Sequence, residues 1–125
     1  MNHQISNENL SVSVSEHGSE LQSIRSKDQI EYLWQGDPAY WSGRAPTIFP
    51  YVGRLTEGSY YFQNKRYELP IHGFAPTQQF TLLEKTSNYL VLSLEDSDQL
   101  HQKYPFRFCF KTSYELSDDT LTVTY

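Results

Sequence analysis

Alternation of apolar and polar residues is the feature that most limits how this chain can fold. In residues 10–15, for example, Leu10, Val12 and Val14 are separated by serines. Alternation with a period of two is typical of a β-strand that buries one face. The clearest alternating runs are residues 10–15, 90–94, 106–110 and 121–125. They predict strands spread over the whole chain.

Short polar segments lie between apolar runs and predict hairpins. Residues 63–65, 86–88 and 117–119 are made of Gln, Asn, Lys, Thr, Ser and Asp. Asn, Asp and Ser favour tight turns, because their short polar side chains hydrogen-bond the local backbone. Aromatic residues make up 15% of the chain, which also favours strands. We therefore predict an all-β fold, an antiparallel β-sandwich, with residues 1–125 in a single domain.

Two segments interrupt the alternation. Residues 96–104 predict one short helical turn, which Ser97 or Asp96 caps and Pro105 ends. Residues 36–50 are rich in Pro, Gly and aromatic residues and show no periodicity, so we predict a long ordered loop. Loops of this kind on a sheet scaffold commonly carry binding residues.

Composition excludes several classes of function. The net charge is −5 and the ten basic residues are dispersed, which argues against a nucleic-acid or anionic-membrane surface. No apolar run approaches the roughly 20 residues that span a bilayer, so we expect a cytoplasmic protein. The single cysteine, Cys109, lies in an alternating run and is predicted to be a buried or half-buried strand thiol. His, Cys and carboxylate residues show no metal-ligand spacing, so no metal or other cofactor is expected.

The segment between Trp41 and Phe74 has the strongest functional signal. It contains APTIFP at 45–50, YVGRL at 51–55 and LPIHGF at 69–74. Gly53 allows a tight backbone approach before the Arg54 guanidinium, and Gly73 allows a turn that presents the imidazole of His72. Guanidinium and imidazole groups both hydrogen-bond hydroxyl oxygens. The segment therefore predicts a polar pocket for a small ligand rich in hydroxyl groups.

These motifs resemble the start of the aldose 1-epimerase (galactose mutarotase) superfamily, and within it the LacX-like branch. The resemblance covers almost the whole chain in order and spacing. The matching stretches are 18–24 (GSELQSI), 31–41 (EYLWQGDPAYW), the Ala-Pro-x-x-Phe-Pro and Gly-Arg-Leu segments, 72–75 (HGFA) and 104–108 (YPFRF).

The resemblance implies a galactose mutarotase-like supersandwich and a cofactor-independent isomerase that interconverts the α and β anomers of a hexose. It implies that His72 takes a catalytic part and also binds substrate. The other substrate-binding residues that we predict are Arg54, Phe74, Arg44 and Trp41. The expected partner is a hexose or hexose phosphate, with no nucleic acid and no membrane.

Two departures from the family pattern affect these expectations. Family members commonly have Arg where this chain has Pro76, so one cation near the pocket is missing. Family members are also more than twice as long, and their second histidine and general base lie beyond the position of Tyr125. We therefore expect a truncated N-terminal part that is inactive alone. We also expect possible self-association through an exposed edge of the C-terminal strand.

Each candidate residue also has a simpler interpretation. His72 can be an exposed or structural loop histidine, and Arg54 a surface arginine paired with Glu57 or Glu20. Arg44 can hold a phosphate together with Arg54 or Arg66, although a solvated loop charge is the more common role. We interpret Trp34 as a core residue rather than a sugar platform.

Two further functions compete with the isomerase interpretation. The first is a non-catalytic carbohydrate-binding module that keeps the Arg54 and His72 pocket. The second is a structural fragment that functions only with a second chain. Binding of a sugar near His72 distinguishes the first from the second, and catalysed mutarotation distinguishes both from an enzyme.

Overall fold

The computed structural model describes residues 1–125 and consists almost entirely of antiparallel strands. The strands are β1 (Asn2–Ser6), β2 (Leu10–Ser15), β3 (Glu20–Ser26), β4 (Ser59–Phe62), β5 (Lys65–Glu68), β6 (Thr81–Lys85), β7 (Tyr89–Glu95), β8 (Cys109–Ser117) and β9 (Thr120–Thr124). They form three sheets with the orders β1-β2-β3, β4-β5 and β6-β7-β8-β9. The predicted all-β antiparallel fold is confirmed.

The three predicted hairpins are also present. They join β4 to β5, β6 to β7 and β8 to β9, each as an antiparallel pair. In the first hairpin Gln63 and Asn64 have φ angles of 48° and 61°. Positive φ at both central positions is the mark of a type I′ turn, whose twist matches that of the flanking strands. Local turn chemistry therefore sets this part of the fold.

The core lies between the three-stranded and four-stranded sheets. Inward residues of β1 and β2 pack in one cluster with inward residues of β7 and β8. They include Ile5, Val12, Val14, Leu90, Leu92, Tyr114 and Leu116. In β7 the residues between the alternating leucines, Val91 and Ser93, are buried as well. This strand is thus covered on both faces, although its alternation predicts only one buried face.

The predicted strand over 106–110 is only partly correct. β8 begins at Cys109, and Phe108 is instead held against the preceding connection. The carboxylate of Asp96 accepts the Phe108 N–H at 3.0 Å, and the Asp96 N–H donates to the Phe108 carbonyl at 3.2 Å. The prediction of a buried or half-buried thiol is wrong. Cys109 is exposed because its side chain, like that of Lys111, lies on the outer face of β8.

The two irregular segments agree with expectation. The predicted helical turn is α1 (Asp98–His101), and the Ser97 hydroxyl accepts the Leu100 N–H at its start. Residues 36–50 contain no strand or helix and form a long loop. None of the helices has the length and apolar character that a bilayer crossing requires.

Candidate functional site

His72 lies at the corner of a tight turn. The Gly73 N–H donates to the Pro70 carbonyl at 3.1 Å, which closes a four-residue turn over 70–73. His72 is the third residue of this turn and has a φ of 66°. That is the position at which a type II turn requires positive φ and normally carries Gly or Asn. A histidine here is held in a backbone conformation that its side chain disfavours.

Two hydrogen bonds join the His72 turn to Gly53. The His72 N–H donates to the Gly53 carbonyl at 2.8 Å, and the Gly53 N–H donates to His72 Nδ1 at 3.4 Å. Because a backbone N–H is a donor, Nδ1 acts as the acceptor, and in neutral imidazole the proton then lies on Nε2. His72 therefore presents Nε2–H as a hydrogen-bond donor with no partner within the chain.

Gly73 fits the turn against the preceding loop. A Cβ at Gly73 would lie 2.1 Å from the Phe49 carbonyl oxygen, and φ at this residue is 76°. The same carbonyl accepts the N–H groups of Phe74 at 3.0 Å and Ala75 at 3.2 Å. Only glycine allows this approach. The His-Gly pair thus fixes the imidazole relative to the 45–50 loop.

Phe74 lies beneath the turn rather than beside it. Its ring is 2% exposed and belongs to the main core cluster. Phe49, Tyr104 and Phe108 have ring centroids within 5.7 Å of the Phe74 centroid. The expectation that Phe74 stacks on a sugar is therefore corrected: the ring supports the turn and presents no free face in this structure.

Arg54 follows Gly53 and is exposed. Pairing with Glu57 or Glu20, the simpler interpretation, does not occur, since Arg54 makes no ion pair. Glu20 instead accepts the backbone N–H groups of Arg44 and Ala45, both at 3.1 Å. Arg54 is thus an exposed arginine without an ion pair, one residue after Gly53, which is hydrogen-bonded to His72.

Trp41 and Arg44 belong to a second cluster on the 36–50 loop. The Arg44 guanidinium donates to the Gln22 side chain and to the Gln35 carbonyl. Trp41 is 52% exposed, and its carbonyl accepts the Trp34 indole N–H at 2.9 Å. No hydrogen bond or ring contact joins these residues to His72 or Arg54. The structure thus places His72 against Gly53, the residue before the exposed Arg54, buries Phe74 in the core and groups Trp41 and Arg44 separately on the 36–50 loop.

The structure corrects two predictions for residues in or near this loop, Trp34 and Arg44. Trp34 was predicted to be core, yet 43% of it is exposed, because its ring lies edge-on to Tyr40 at the surface. Arg44 is partly buried and hydrogen-bonded, so it is not a freely solvated loop charge. Its role in the structure is to fasten the loop to β3.

A buried hydroxyl network that sequence reasoning missed anchors the 45–50 loop. The Thr47 hydroxyl and the Tyr114 hydroxyl both donate to the Ser19 carbonyl, at 2.8 and 2.5 Å. The Ser19 hydroxyl lies 2.6 Å from that of Thr112. All four residues are at most 2% exposed. No sequence signal identifies such partners, because they lie far apart in the chain and small hydroxyl residues are common on surfaces.

A cavity of about 680 Å³ lies away from His72. It is bounded by residues of β2, β3, β9 and the turn before β9, among them Leu10, Ile24 and Leu121. Neither His72 nor Arg54 lines it. The candidate site is defined instead by the hydrogen-bonded contact between Gly53 and His72.

Comparison with known proteins assigns this architecture to a family. The family model for aldose 1-epimerase matches residues 1–125. The chromosomal protein LacX of Lactococcus lactis subsp. lactis is 32% identical to this chain over 127 residues, which cover 98% of this chain and 42% of LacX. The chain thus spans about two fifths of the length of the curated relatives that it matches.

Solved structures have the same fold. A galactose mutarotase related enzyme from Lactobacillus acidophilus aligns with a TM-score of 0.95 and 36% identity, covering 97% of this chain and 41% of that one. A galactose mutarotase-like protein from Lactobacillus casei ATCC 334 aligns with a TM-score of 0.94 and 31% identity, covering 98% of this chain and 42% of that one. The chain therefore has a galactose mutarotase-like β-sandwich fold. It belongs to the aldose 1-epimerase family.

Proposed function

We propose that this chain supplies a hexose-binding surface to an aldose 1-epimerase-like protein that interconverts the α and β anomers in carbohydrate metabolism. The observation that carries the proposal is the imidazole of His72, which is fixed by Gly53 through Nδ1 and leaves Nε2–H without a partner, while the exposed Arg54 directly follows Gly53 in the chain. Guanidinium and imidazole donors at one surface suit a ligand rich in hydroxyl oxygens.

The chemistry of mutarotation assigns a specific task to His72. A base removes the O1 proton while an acid protonates the ring oxygen, the bond between C1 and the ring oxygen breaks, C1 rotates, and the reverse transfers reclose the ring. Nε2–H can hydrogen-bond the ring oxygen or a neighbouring hydroxyl and so assist the acid. One imidazole cannot serve as acid and base together. We therefore place the general base and the principal acid outside residues 1–125, in the part of the family fold that this chain does not span.

Arg54 is proposed to hold the sugar rather than to react with it. Its planar guanidinium can donate two parallel hydrogen bonds to vicinal hydroxyls, which a lysine ammonium cannot reproduce. The two arginines considered as phosphate partners of Arg54 have other contacts, since Arg44 is bonded to Gln22 and Arg66 lies 3.2 Å from Glu68. We therefore favour an unphosphorylated hexose over a hexose phosphate.

A titration of the isotopically labelled chain with galactose and glucose tests this function. We expect concentration-dependent NMR shifts of the His72 ring and the Gly53 amide. Arg54→Lys should weaken binding by about 1–3 kcal/mol, because charge-assisted hydrogen bonds are lost. The matched control is Arg66→Lys on β5, which should bind as the wild type does. Absence of shifts at His72 with either sugar would contradict the proposal.

Polarimetry of the same samples distinguishes binding from catalysis. The 125-residue chain should leave the mutarotation of freshly dissolved α-glucose or α-galactose at the rate of buffer. A faster rate that His72→Gln abolishes would show that the acid and base lie within these residues. A chain that binds sugar without catalysis also fits a non-catalytic carbohydrate-binding module, and a longer form of the protein that accelerates mutarotation would exclude that alternative.

A further inference from the structure

The connection before β4 holds the His72 turn at several points. The Phe49 carbonyl accepts the N–H groups of residues 74 and 75, at 3.0 and 3.2 Å. The Gly53 carbonyl accepts the His72 N–H at 2.8 Å. These contacts fix the second half of the turn and the residues that follow it. Neither of them reaches Pro70, where the turn starts.

The side chain of Tyr51 holds the start of the turn. Its hydroxyl donates to the Pro70 carbonyl, and the Leu69 carbonyl oxygen lies 3.3 Å from the same hydroxyl. The Pro70 carbonyl also accepts the Gly73 N–H that closes the turn, at 3.1 Å. A carbonyl oxygen has two lone pairs and so accepts both donors. Because proline has no N–H, its carbonyl is the backbone group through which a hydrogen bond can hold this residue.

The contact between the imidazole of His72 and Gly53 tolerates little movement of the turn. The Gly53 nitrogen lies 3.4 Å from Nδ1, close to the upper limit for a hydrogen bond. His72 has a φ of 66°, a conformation that persists only where the surroundings hold it. A small outward movement of the turn would therefore break the bond at Nδ1. The imidazole could then rotate and carry its proton on either nitrogen.

The hydroxyl of Tyr51 can be removed without removing the packing of the ring. Tyr51 packs, partly buried, against the main core cluster, and phenylalanine keeps that ring. Tyr60 on β4 offers a matched comparison, because it is also partly buried against this cluster and its hydroxyl donates to the Lys103 carbonyl at 2.7 Å. That bond reaches the connection between α1 and β8 and not the His72 turn.

We propose that Tyr51 is a positioning residue for the candidate sugar site. Its hydroxyl holds the turn through the Pro70 carbonyl, so that Nδ1 of His72 stays on Gly53 and Nε2–H remains the free donor. This inference rests on the proposed sugar-binding function, because it assigns Tyr51 to the orientation of the group that would donate to the sugar. A donor that is already oriented loses less freedom when the ligand binds.

The nitrogen chemical shifts of the His72 ring in the free chain test this role. At about pH 9, well above the ordinary histidine pKa of roughly 6.5, the wild-type chain should show an unprotonated Nδ1 and a protonated Nε2. Tyr51→Phe should move the two shifts towards each other, because both tautomers are then populated, and should move the Gly53 amide resonance. Tyr60→Phe should leave all three resonances as in the wild type.

A galactose titration of the same three chains tests the consequence for binding. Tyr51→Phe should weaken binding about fivefold, since the ligand must then also order the imidazole. Tyr60→Phe should bind as the wild type does. Each variant loses one hydrogen bond from a tyrosine hydroxyl to a carbonyl, so denaturant unfolding should show similar losses of stability in both. A difference between them in ring state or affinity then reflects the position of the ring.

Four results would overturn the proposal. They are a wild-type ring already averaged between tautomers, unchanged resonances in Tyr51→Phe, equal changes in both variants, and a changed ring in Tyr51→Phe with unchanged galactose affinity. Because the ring shifts are measured without sugar, they still decide whether Tyr51 orients His72 if the wild-type chain binds no sugar. Failure of the wild-type chain to bind sugar would contradict the proposed function, and the two failures are thus distinguishable.

Discussion

His72 combines a strained backbone with an available side chain. Its φ of 66° belongs to the left-handed region, which costs a residue other than Gly, Asn or Asp of the order of 1 kcal/mol. The turn would form more readily with asparagine, which tolerates this conformation. His72 shares this backbone region with Ser19, Gln29, Glu57 and Gln63, so the turn carries a modest local cost.

His72→Asn should separate stability from function. Asparagine accepts the left-handed φ and can still accept the Gly53 N–H, so the free energy of unfolding should be unchanged or rise by up to about 1 kcal/mol. Sugar-dependent shifts at the Gly53 amide should disappear, because the Nε2–H donor is gone. Denaturant unfolding and NMR titration measure the two effects. A clear loss of stability would instead indicate that the ring itself supports the turn.

Residue exposure was the property that sequence patterns predicted least well. Trp34 and Cys109 both lie in apolar runs but are exposed, while Phe74 adjoins a polar turn but is buried. Alternation assigns a residue to one of two faces, but it does not show which segments later cover that face. Those segments come from distant parts of the chain, so single-residue burial depends on the completed fold.

At the level of elements, local sequence was sufficient to predict the hairpins but not to predict where strands begin and end. The turn at Gln63 and Asn64 is set by its own backbone preferences, and the β4–β5 hairpin formed as predicted. β8 starts later than its phenylalanine pattern indicates, because Asp96 holds Phe108 in the connection. A contact between two connecting segments thus keeps Phe108 out of the strand that the alternating pattern predicts.

The buried hydroxyl network joins three elements that are distant in sequence. Ser19 precedes β3, Thr47 lies in the long loop, and Thr112 and Tyr114 lie on β8. Burial raises the pKa of the Tyr114 phenol above its ordinary value, and the neighbouring hydroxyls of Ser19, Thr47 and Thr112 oppose this rise only in part. The phenol therefore remains a neutral donor, which is the form that the Ser19 carbonyl requires.

Tyr114→Phe should destabilise the fold by about 1–2 kcal/mol, because one buried hydrogen bond is lost and the Ser19 carbonyl retains only Thr47. Tyr61→Phe on β4 is the matched control. Tyr61 is 73% exposed and makes no hydrogen bond through its hydroxyl, so its loss should have little effect. Thermal unfolding of both variants measures the difference. Equal melting temperatures would show that the network contributes nothing to stability.

At the level of the whole molecule, the sequence indicated candidate segments but not how they are arranged. The Gly-Arg and His-Gly motifs are nineteen residues apart and meet through two hydrogen bonds between Gly53 and His72. Trp41 and Arg44 come from the same loop region but form a different cluster, because Gln22 and Gln35 bind the guanidinium. Which candidates converge depends on long-range packing, which residue patterns do not encode locally.

Three carboxylates fasten connections to the sheets. A hydrogen bond from His3 lowers the pKa of Glu16, and the Phe108 N–H lowers the pKa of Asp96. Burial opposes ionisation of Glu31, but hydrogen bonds from the Ser23 hydroxyl and from the Ile24 and Leu33 N–H groups outweigh it and lower the pKa of this group as well. In its ionised form each carboxylate thus holds a connection of the fold in place through these hydrogen bonds.

These shifts set how stability depends on pH. Since all three groups ionise more readily in the folded chain than at their ordinary values of 4.5 for Glu and 3.8 for Asp, they stabilise the fold above those values. The contribution is lost as the pH falls through the lowered pKa values. The melting temperature should therefore be nearly constant between about pH 7 and 5 and should fall steadily below about pH 4.5.

Comparing two glutamine variants tests whether the loss of stability at acidic pH arises from these hydrogen bonds. Glu31→Gln removes a titrating group whose ionised form accepts three hydrogen bonds, so the variant should be less stable at neutral pH and should lose less stability on acidification. Glu84→Gln, on the exposed face of β6, should follow the wild-type curve. If Glu31→Gln and the wild type lost stability in parallel, the acid sensitivity would reflect general charge repulsion at low pH rather than the carboxylates that hold the connections. A shallower curve for Glu31→Gln alone would instead assign part of the loss to the attachment of the 30–33 segment to β3.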